Sequence, residues 1–241
     1  GTFAIQNGVD ADLFITNVTN TGDFTLGSLA QLQTNTFNQD DGSLNVAGIL
    51  DTNSFVTSGA SEIVLQDGEI VVDNGNGIFE LGASATLSGN GTINGNVVVE
   101  GVITPGFSFG NLTITGDLSF ENGGTLLLET DGSGGDILTV EGVVDLTNLI
   151  LEIQVADGEI IEAGENLISI DAEGITGEIE SVVFADSNGI AIDTQVEFDP
   201  DTGTIEVITN ETVPEPLTAV SLISLIVLAH RRRKYDHRLL A

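Results

Sequence analysis

Val97-Val98-Val99, Val102-Ile103, Leu112-Thr113-Ile114 and Leu118-Ser119-Phe120 are short apolar runs in close succession. Leu126-Leu127-Leu128, Leu138-Thr139-Val140, Val144-Asp145-Leu146 and Leu149-Ile150-Leu151-Glu152-Ile153 continue the series. In an extended chain, alternate side chains fall on opposite faces, so each triplet places its outer two residues on one face. Gly89, Gly91, Gly95, Gly101, Gly106, Gly110, Gly116, Gly123 and Gly142 separate the runs. Rungs of about twenty residues, each with two or three short strands, are the repeat of a parallel β-helix, in which every coil buries its inward side chains against its neighbours. An antiparallel sandwich also spaces short strands regularly. The repeat favours the solenoid.

Working outward, the same texture extends to the beginning of the chain. Ser43-Leu44-Asn45-Val46, Glu62-Ile63-Val64-Leu65, Glu69-Ile70-Val71-Val72 and Gly77-Ile78-Phe79-Glu80-Leu81 are strand signals set among Asn, Gly, Asp and Thr. With 30 glycines, 4 prolines and an aromatic content of 5%, the composition suits a narrow core of stacked aliphatics. The expected domains are a parallel β-helix over 1–155 and a β-rich capping region over 156–208. A linker over 209–216, a hydrophobic helix over 217–229 and a basic tail over 230–241 follow.

The segment Leu87-Ser88-Gly89-Asn90-Gly91-Thr92-Ile93 leads into Pro105-Gly106-Phe107-Ser108-Phe109-Gly110-Asn111-Leu112-Thr113-Ile114. Asp136-Ile137-Leu138-Thr139-Val140-Glu141-Gly142 comes next. From Leu87 to Val155 this resembles the passenger repeat of autotransporter-type proteins. The resemblance implies a right-handed parallel β-helix at a cell surface. Gly164 to Val207, with Asn166-Leu167-Ile168-Ser169-Ile170, Val182-Val183-Phe184 and Thr204-Ile205-Glu206-Val207, resembles the sheet-like end that caps such passengers. Autotransporters end in a membrane β-barrel; this chain leaves no room for one, so a different export route is expected.

Charge narrows the function classes. The 241 residues include 37 acidic and 5 basic ones, a formal net charge of -32. All the basic residues lie between Arg231 and Arg238, and all but one of the acids lie upstream of them. Such a surface repels nucleic acid and anionic lipid, and no nucleic-acid partner is expected. A mean hydropathy of +0.24 argues for a folded core in spite of the charge. Cysteine is absent, which excludes disulfides and thiolate metal sites. Methionine is absent too, and Gly1-Thr2-Phe3-Ala4-Ile5 lacks the features of a signal peptide. The chain therefore reads as a processed or truncated product.

Upstream of His230 there is no His, Lys, Arg or Cys, so no triad base, Schiff-base lysine or guanidinium is available. Paired carboxylates alone can hydrolyse glycosides, and a carboxylate-only polysaccharide-active β-helix or a carbohydrate-binding module is the alternative reading. Gln39-Asp40-Asp41-Gly42 resembles one short aspartate motif of the pectin hydrolases, but the histidine and basic pair of the neighbouring motifs are missing. A solvated turn is the better reading. Thr130-Asp131-Gly132-Ser133-Gly134-Gly135-Asp136 is loosely similar to the nonapeptide of calcium-binding β-rolls, yet it occurs once where such sites need tandem copies. Asp10-Ala11-Asp12 and Asp199-Pro200-Asp201-Thr202-Gly203 are likewise isolated and read as turns. No catalytic residue, cofactor or designed metal site is expected, only weak, non-specific Ca2+ binding by the acidic surface as a whole.

The last thirty residues are a different material. Val213-Pro214-Glu215-Pro216 precedes the uncharged run Leu217 to Ala229, which precedes Arg231-Arg232-Arg233-Lys234. As a helix the run would span ~20 Å, against a hydrocarbon core of ~30 Å. It is short for a permanent span and sufficient for transient insertion with the arginines snorkelling. The basic cluster places the C-terminus in the cytoplasm and residues 1–212 outside. The order of motif, apolar helix and arginine cluster resembles the PEP-CTERM sorting signal. That resemblance implies recognition by an exosortase and removal of the tail. It also implies delivery from the inner membrane to the surface or exopolysaccharide matrix. Pro214, Glu215 and Pro216 would be the recognition motif, with Val213 preceding them. Arg231, Arg232, Arg233 and Lys234 would be the stop-transfer cluster.

Overall fold

The computed structural model describes residues 2–5, 11–106, 109–131, 134–156, 166–186, 194–199 and 204–210. The sorting motif, the helix expected over 217–229 and the basic cluster lie outside the described residues. Among those that are described, no helix is long and apolar enough to cross a membrane.

The strands are β1 (Phe3–Ile5), β2 (Ala11–Asn20), β3 (Phe24–Leu26), β4 (Ala30–Gln39), β5 (Gly42–Val46), β6 (Ile49–Thr57) and β7 (Ser61–Val72). They continue as β8 (Ile78–Leu81), β9 (Thr86–Asn94), β10 (Asn96–Val99), β11 (Val102–Pro105), β12 (Asn111–Ile114), β13 (Leu118–Phe120) and β14 (Thr125–Thr130). The last are β15 (Ile137–Asp145), β16 (Ile150–Val155), β17 (Asn166–Thr176), β18 (Ser181–Asp186), β19 (Thr194–Asp199) and β20 (Thr204–Asn210). They build an all-β parallel solenoid of about 7 turns.

Register is kept from coil to coil. On one side Phe3, Phe24, Leu44, Ile63, Leu87, Ile103, Leu126, Leu151 and Val182 form one inward column. On the other, Leu13, Leu32, Leu50, Ile70, Ile93, Ile114, Val140 and Ala172 form a second. A third runs through Val18, Phe37, Phe55, Phe79, Val97, Leu118, Val144 and Ile175. Between the ends of the stack each inward residue is covered above and below by the coils ~4.8 Å away, whereas Phe3, in the first coil, is 47% exposed. Side-chain hydrogen bonds between coils join residues 18 to 32 apart, so the repeat lengthens toward the C-terminal end.

Two features differ from the sequence-based expectation. The core is not purely aliphatic: Phe24, Phe37, Phe55 and Phe79 make a continuous aromatic line, with ring centroids 5.6, 5.5 and 4.4 Å apart. Phe37, Phe55 and Phe79 stack because they belong to one column, whose side chains the parallel register sets directly over one another, whereas Phe24 belongs to the neighbouring column and meets Phe37 edge-on. The boundary expected at residue 155 also moves. β17 and β18 still pair in parallel with β15 and β16. Antiparallel pairing begins only where β20 joins β17 and β19.

Candidate functional site

The regular coil turns are held by a recurring side-chain clip. Asn90 Oδ1 accepts the N–H of Asn111 at 2.9 Å, and Asn96 Oδ1 accepts that of Asp117 at 2.9 Å. Asp117 Oδ1 in turn accepts the N–H of Val143 at 2.8 Å, so one line of clips crosses three coils. The residue before each clipped N–H is glycine: Gly110, Gly116 and Gly142. A Cβ there would stand 2.2, 2.4 and 2.4 Å from the oxygen that makes the clip. Glycine and amide or carboxylate are therefore one device: the glycine leaves the space that the side chain from the previous coil fills.

Polar groups inside the coil are also satisfied locally. Thr34 and Thr52 are buried, and their hydroxyls donate to the carbonyls of Thr36 (3.0 Å) and Ser54 (2.9 Å). Gln39 is fully buried; it accepts from Asn20 Nδ2 at 3.0 Å and donates to the Asp41 carbonyl at 2.8 Å. No buried side-chain nitrogen or oxygen among the described residues lacks a partner.

Of the acidic motifs singled out in the sequence, Asp40-Asp41-Gly42 and Asp131 fall on turns, whereas Ala11 and Asp12, expected in a turn, belong to β2, where strand pairing with β4 extends the backbone. Asp41 Oδ1 accepts the N–H of Gly42 at 2.9 Å, and Asp40 accepts from the Ser58 hydroxyl at 2.8 Å. Gly42 has φ of 74°. Asp131 Oδ1 accepts the N–H of Gly134 at 2.8 Å, an ordinary side-chain-to-backbone turn. Asp145 accepts from Thr147, which holds its carboxyl below the usual carboxylate range. Asp12 is exposed on β2, whereas Asp10 and the interior of the 199–203 segment lie outside the described residues. Among the described residues, no three His, Cys, Asp or Glu converge as a metal site.

Asp136 is different. It is 2% exposed, the one charged side chain buried among the described residues. Its Oδ1 accepts the N–H of Gly110 and its Oδ2 that of Glu129, both at 2.9 Å. Burial pushes its carboxyl up to about 6, against the opposing effect of these two bonds, and the nearby Glu129 charge adds to the rise. Both oxygens are committed to backbone donors, which fits a staple between coils better than a group that meets substrate. The sequence placed Asp136 at the end of a glycine-rich run and at the head of the repeat segment Asp136 to Gly142, without singling it out as a buried group. The missed signal is its place at the head of an inward-facing strand, where a polar residue can reach the previous coil.

Elsewhere on the surface, acids meet neutral partners. Asp23 takes the Ser43 hydroxyl at 3.1 Å, Asp51 the Gln33 amide at 3.0 Å and Glu100 the Asn122 amide at 2.6 Å. Every Lys and Arg lies outside the described residues, so the described solenoid has no side-chain cation to offset these charges. Self-repulsion is screened over ~30 Å at 0.01 M salt and ~3 Å at 1 M. Raising NaCl from 10 mM to 0.5 M should therefore raise the melting temperature by roughly 4–8 °C, about 2 kcal/mol at ~2–4 °C each. Calorimetry at both ionic strengths checks this; a fall would contradict it.

No protein family matches the chain, nor does any curated protein or any solved structure.

Proposed function

We propose that the protein is an exported, non-enzymatic structural or adhesive element of a cell surface or extracellular matrix. In this reading it is a right-handed solenoid, sorted from the inner membrane by an exosortase acting on its C-terminal signal. The observation that carries the reading is the order of features along the tail sequence: Val213-Pro214-Glu215-Pro216, then an uncharged run, then Arg231-Arg232-Arg233-Lys234. The solenoid supports it from the other side. Its regular repeats spend their polar side chains on turns and clips, and its acids take hydroxyl, amide and backbone donors. An acidic rod of this kind stays soluble and can be bridged to matrix polysaccharide by divalent cations, with Ca2+ held loosely and without a designed site.

Fractionation of the producing cell tests the proposal. With exosortase present, a product shortened by its tail is expected in the surface or matrix fraction. Without the enzyme, or with Pro214, Glu215 and Pro216 all changed to alanine, the full-length chain should remain in the inner membrane. A tail that stays attached in both strains, with the protein in the same fraction, refutes the sorting reading.

A further inference from the structure

The two ends of the stack are built differently. At the N-terminal end, among the described residues, β1 pairs with β3 alone and β2 with β4 alone, so the outer backbone groups of both strands meet no further strand. The inward side chains of this coil are left half-covered. Phe3 is exposed and Leu13, Ile15 and Val18 are partly buried, whereas each residue set against them in the next coil is buried. Terminal repeats ordinarily carry a polar outer face, and edge strands are ordinarily blunted by Lys or Pro. β1 and β2 hold neither residue, and Asp12 is their single acid. At the opposite end, β20 pairs antiparallel with the Asn166 to Ser169 part of β17. The coil of β17 and β18 also carries Asp171, Glu173, Glu178, Glu180 and Asp186. One end is thus apolar, nearly uncharged and open to pairing, and the other is strongly negative and partly taken.

We propose that two copies of the chain join head to head, the open edge of β1 and β2 in one pairing with the same edge of the other about a two-fold axis. This goes beyond the sorting and matrix reading and does not depend on it. The contact continues the interface that already joins coil to coil: a backbone ladder outside and apolar side chains inside. Strands related by such an axis run antiparallel. Inward residues must meet inward ones, and overlap of all three residues of β1 puts the axis at Ala4, with Phe3 of each copy opposite Ile5 of the other. Charge selects this geometry. Head-to-tail stacking would set the open end against five acids and β20, and side-by-side packing would press the acidic faces of two rods together. Head-to-head contact keeps most of the negative charge apart. A two-fold contact is also closed, so it gives a dimer and not a fibre.

The chain has no cysteine, so a single engineered thiol reports on a single contact. In the full chain at 0.5 M NaCl, a short bis-maleimide should join Ala4→Cys into a covalent dimer. Val183→Cys, exposed on β18 at the opposite end, should stay monomeric. Adding Phe3→Glu to Ala4→Cys should cut the dimer yield at least about tenfold, as loss of a central contact does. Phe3 is half-exposed in the outermost coil, so this change leaves the solenoid folded. Lowering NaCl to 10 mM should also reduce the yield, because repulsion then reaches over ~30 Å. Equal cross-linking at Val183→Cys and Ala4→Cys, the result of association through the C-terminal tail, overturns the proposal. So does the absence of a dimer at Ala4→Cys, a yield that Phe3→Glu leaves unchanged, or one that rises at 10 mM NaCl.

Discussion

Replacing Phe55 by alanine will destabilise the solenoid by about 3–5 kcal/mol, the cost of removing a fully buried aromatic ring. The ring is 0% exposed and lies between Phe37, at 5.5 Å, and Phe79, at 4.4 Å. The parallel register fixes the backbone above and below it, so neighbouring coils cannot close the gap by shifting one strand without breaking their own ladders. Because each coil contacts only its neighbours, the damage should begin in the coils of β4, β6 and β8 and spread from there. Urea unfolding would show a lower midpoint, and hydrogen exchange would locate the loss. Phe14, 64% exposed on β2, is the control: its alanine variant should stay within about 0.5 kcal/mol of the parent. Equal effects at the two positions would mean that the aromatic line does not support the core.

Gly89→Ala is expected to cost about 3 kcal/mol or more, from two sources acting together. Gly89 has φ of +99°, a backbone conformation that side chains disfavour, and a Cβ there would stand 2.0 Å from the carbonyl oxygen of Leu65. It also pairs with Leu65 on one side and Pro105 on the other, so neither neighbour is free to retreat. Gly134→Ala provides the contrast: nothing lies within 4 Å of a Cβ at that position, and the change should be close to neutral. Thermal unfolding of both variants measures the difference. A Gly89→Ala protein as stable as the parent would show that the corner can relax.

The strands between Leu87 and Val155 were legible in the sequence almost residue by residue. Val97 to Val99, Leu112 to Ile114, Leu118 to Phe120 and Ile150 to Ile153 all fall on strands, because alternation in a half-buried strand is a local property. Continuity was harder to see. Glu62 to Leu65 and Glu69 to Val72 read as two strands, yet they belong to the single β7. There Asp67 takes a positive φ of 59° and the ladder shifts register between Gln66 and Gly68. A bend of that kind is invisible to a pattern search that treats Asp-Gly as a stop. The acidic turns at Asp40-Asp41-Gly42 were legible because their hydrogen bonds are local. Asp136 was not, since its importance depends on Gly110, 26 residues earlier in the chain.

The sequence by itself determined that the chain would be all-β, that its strands would stack as repeats, and that residues 1–229 would offer no Lys, Arg, His or Cys side chain. Those follow from composition and from periodicity within one coil. Only the tertiary structure decided which coil each residue meets. It placed Phe24, Phe37, Phe55 and Phe79 in one line, carried the parallel stack through β18, and set Asn90, Asn96 and Asp117 against the backbone of the following coil. The physical reason is that coil lengths vary while the ladder register does not. Contacts between coils are fixed by how far each turn bulges, and that is settled by the hydrogen bonds of the assembled corner.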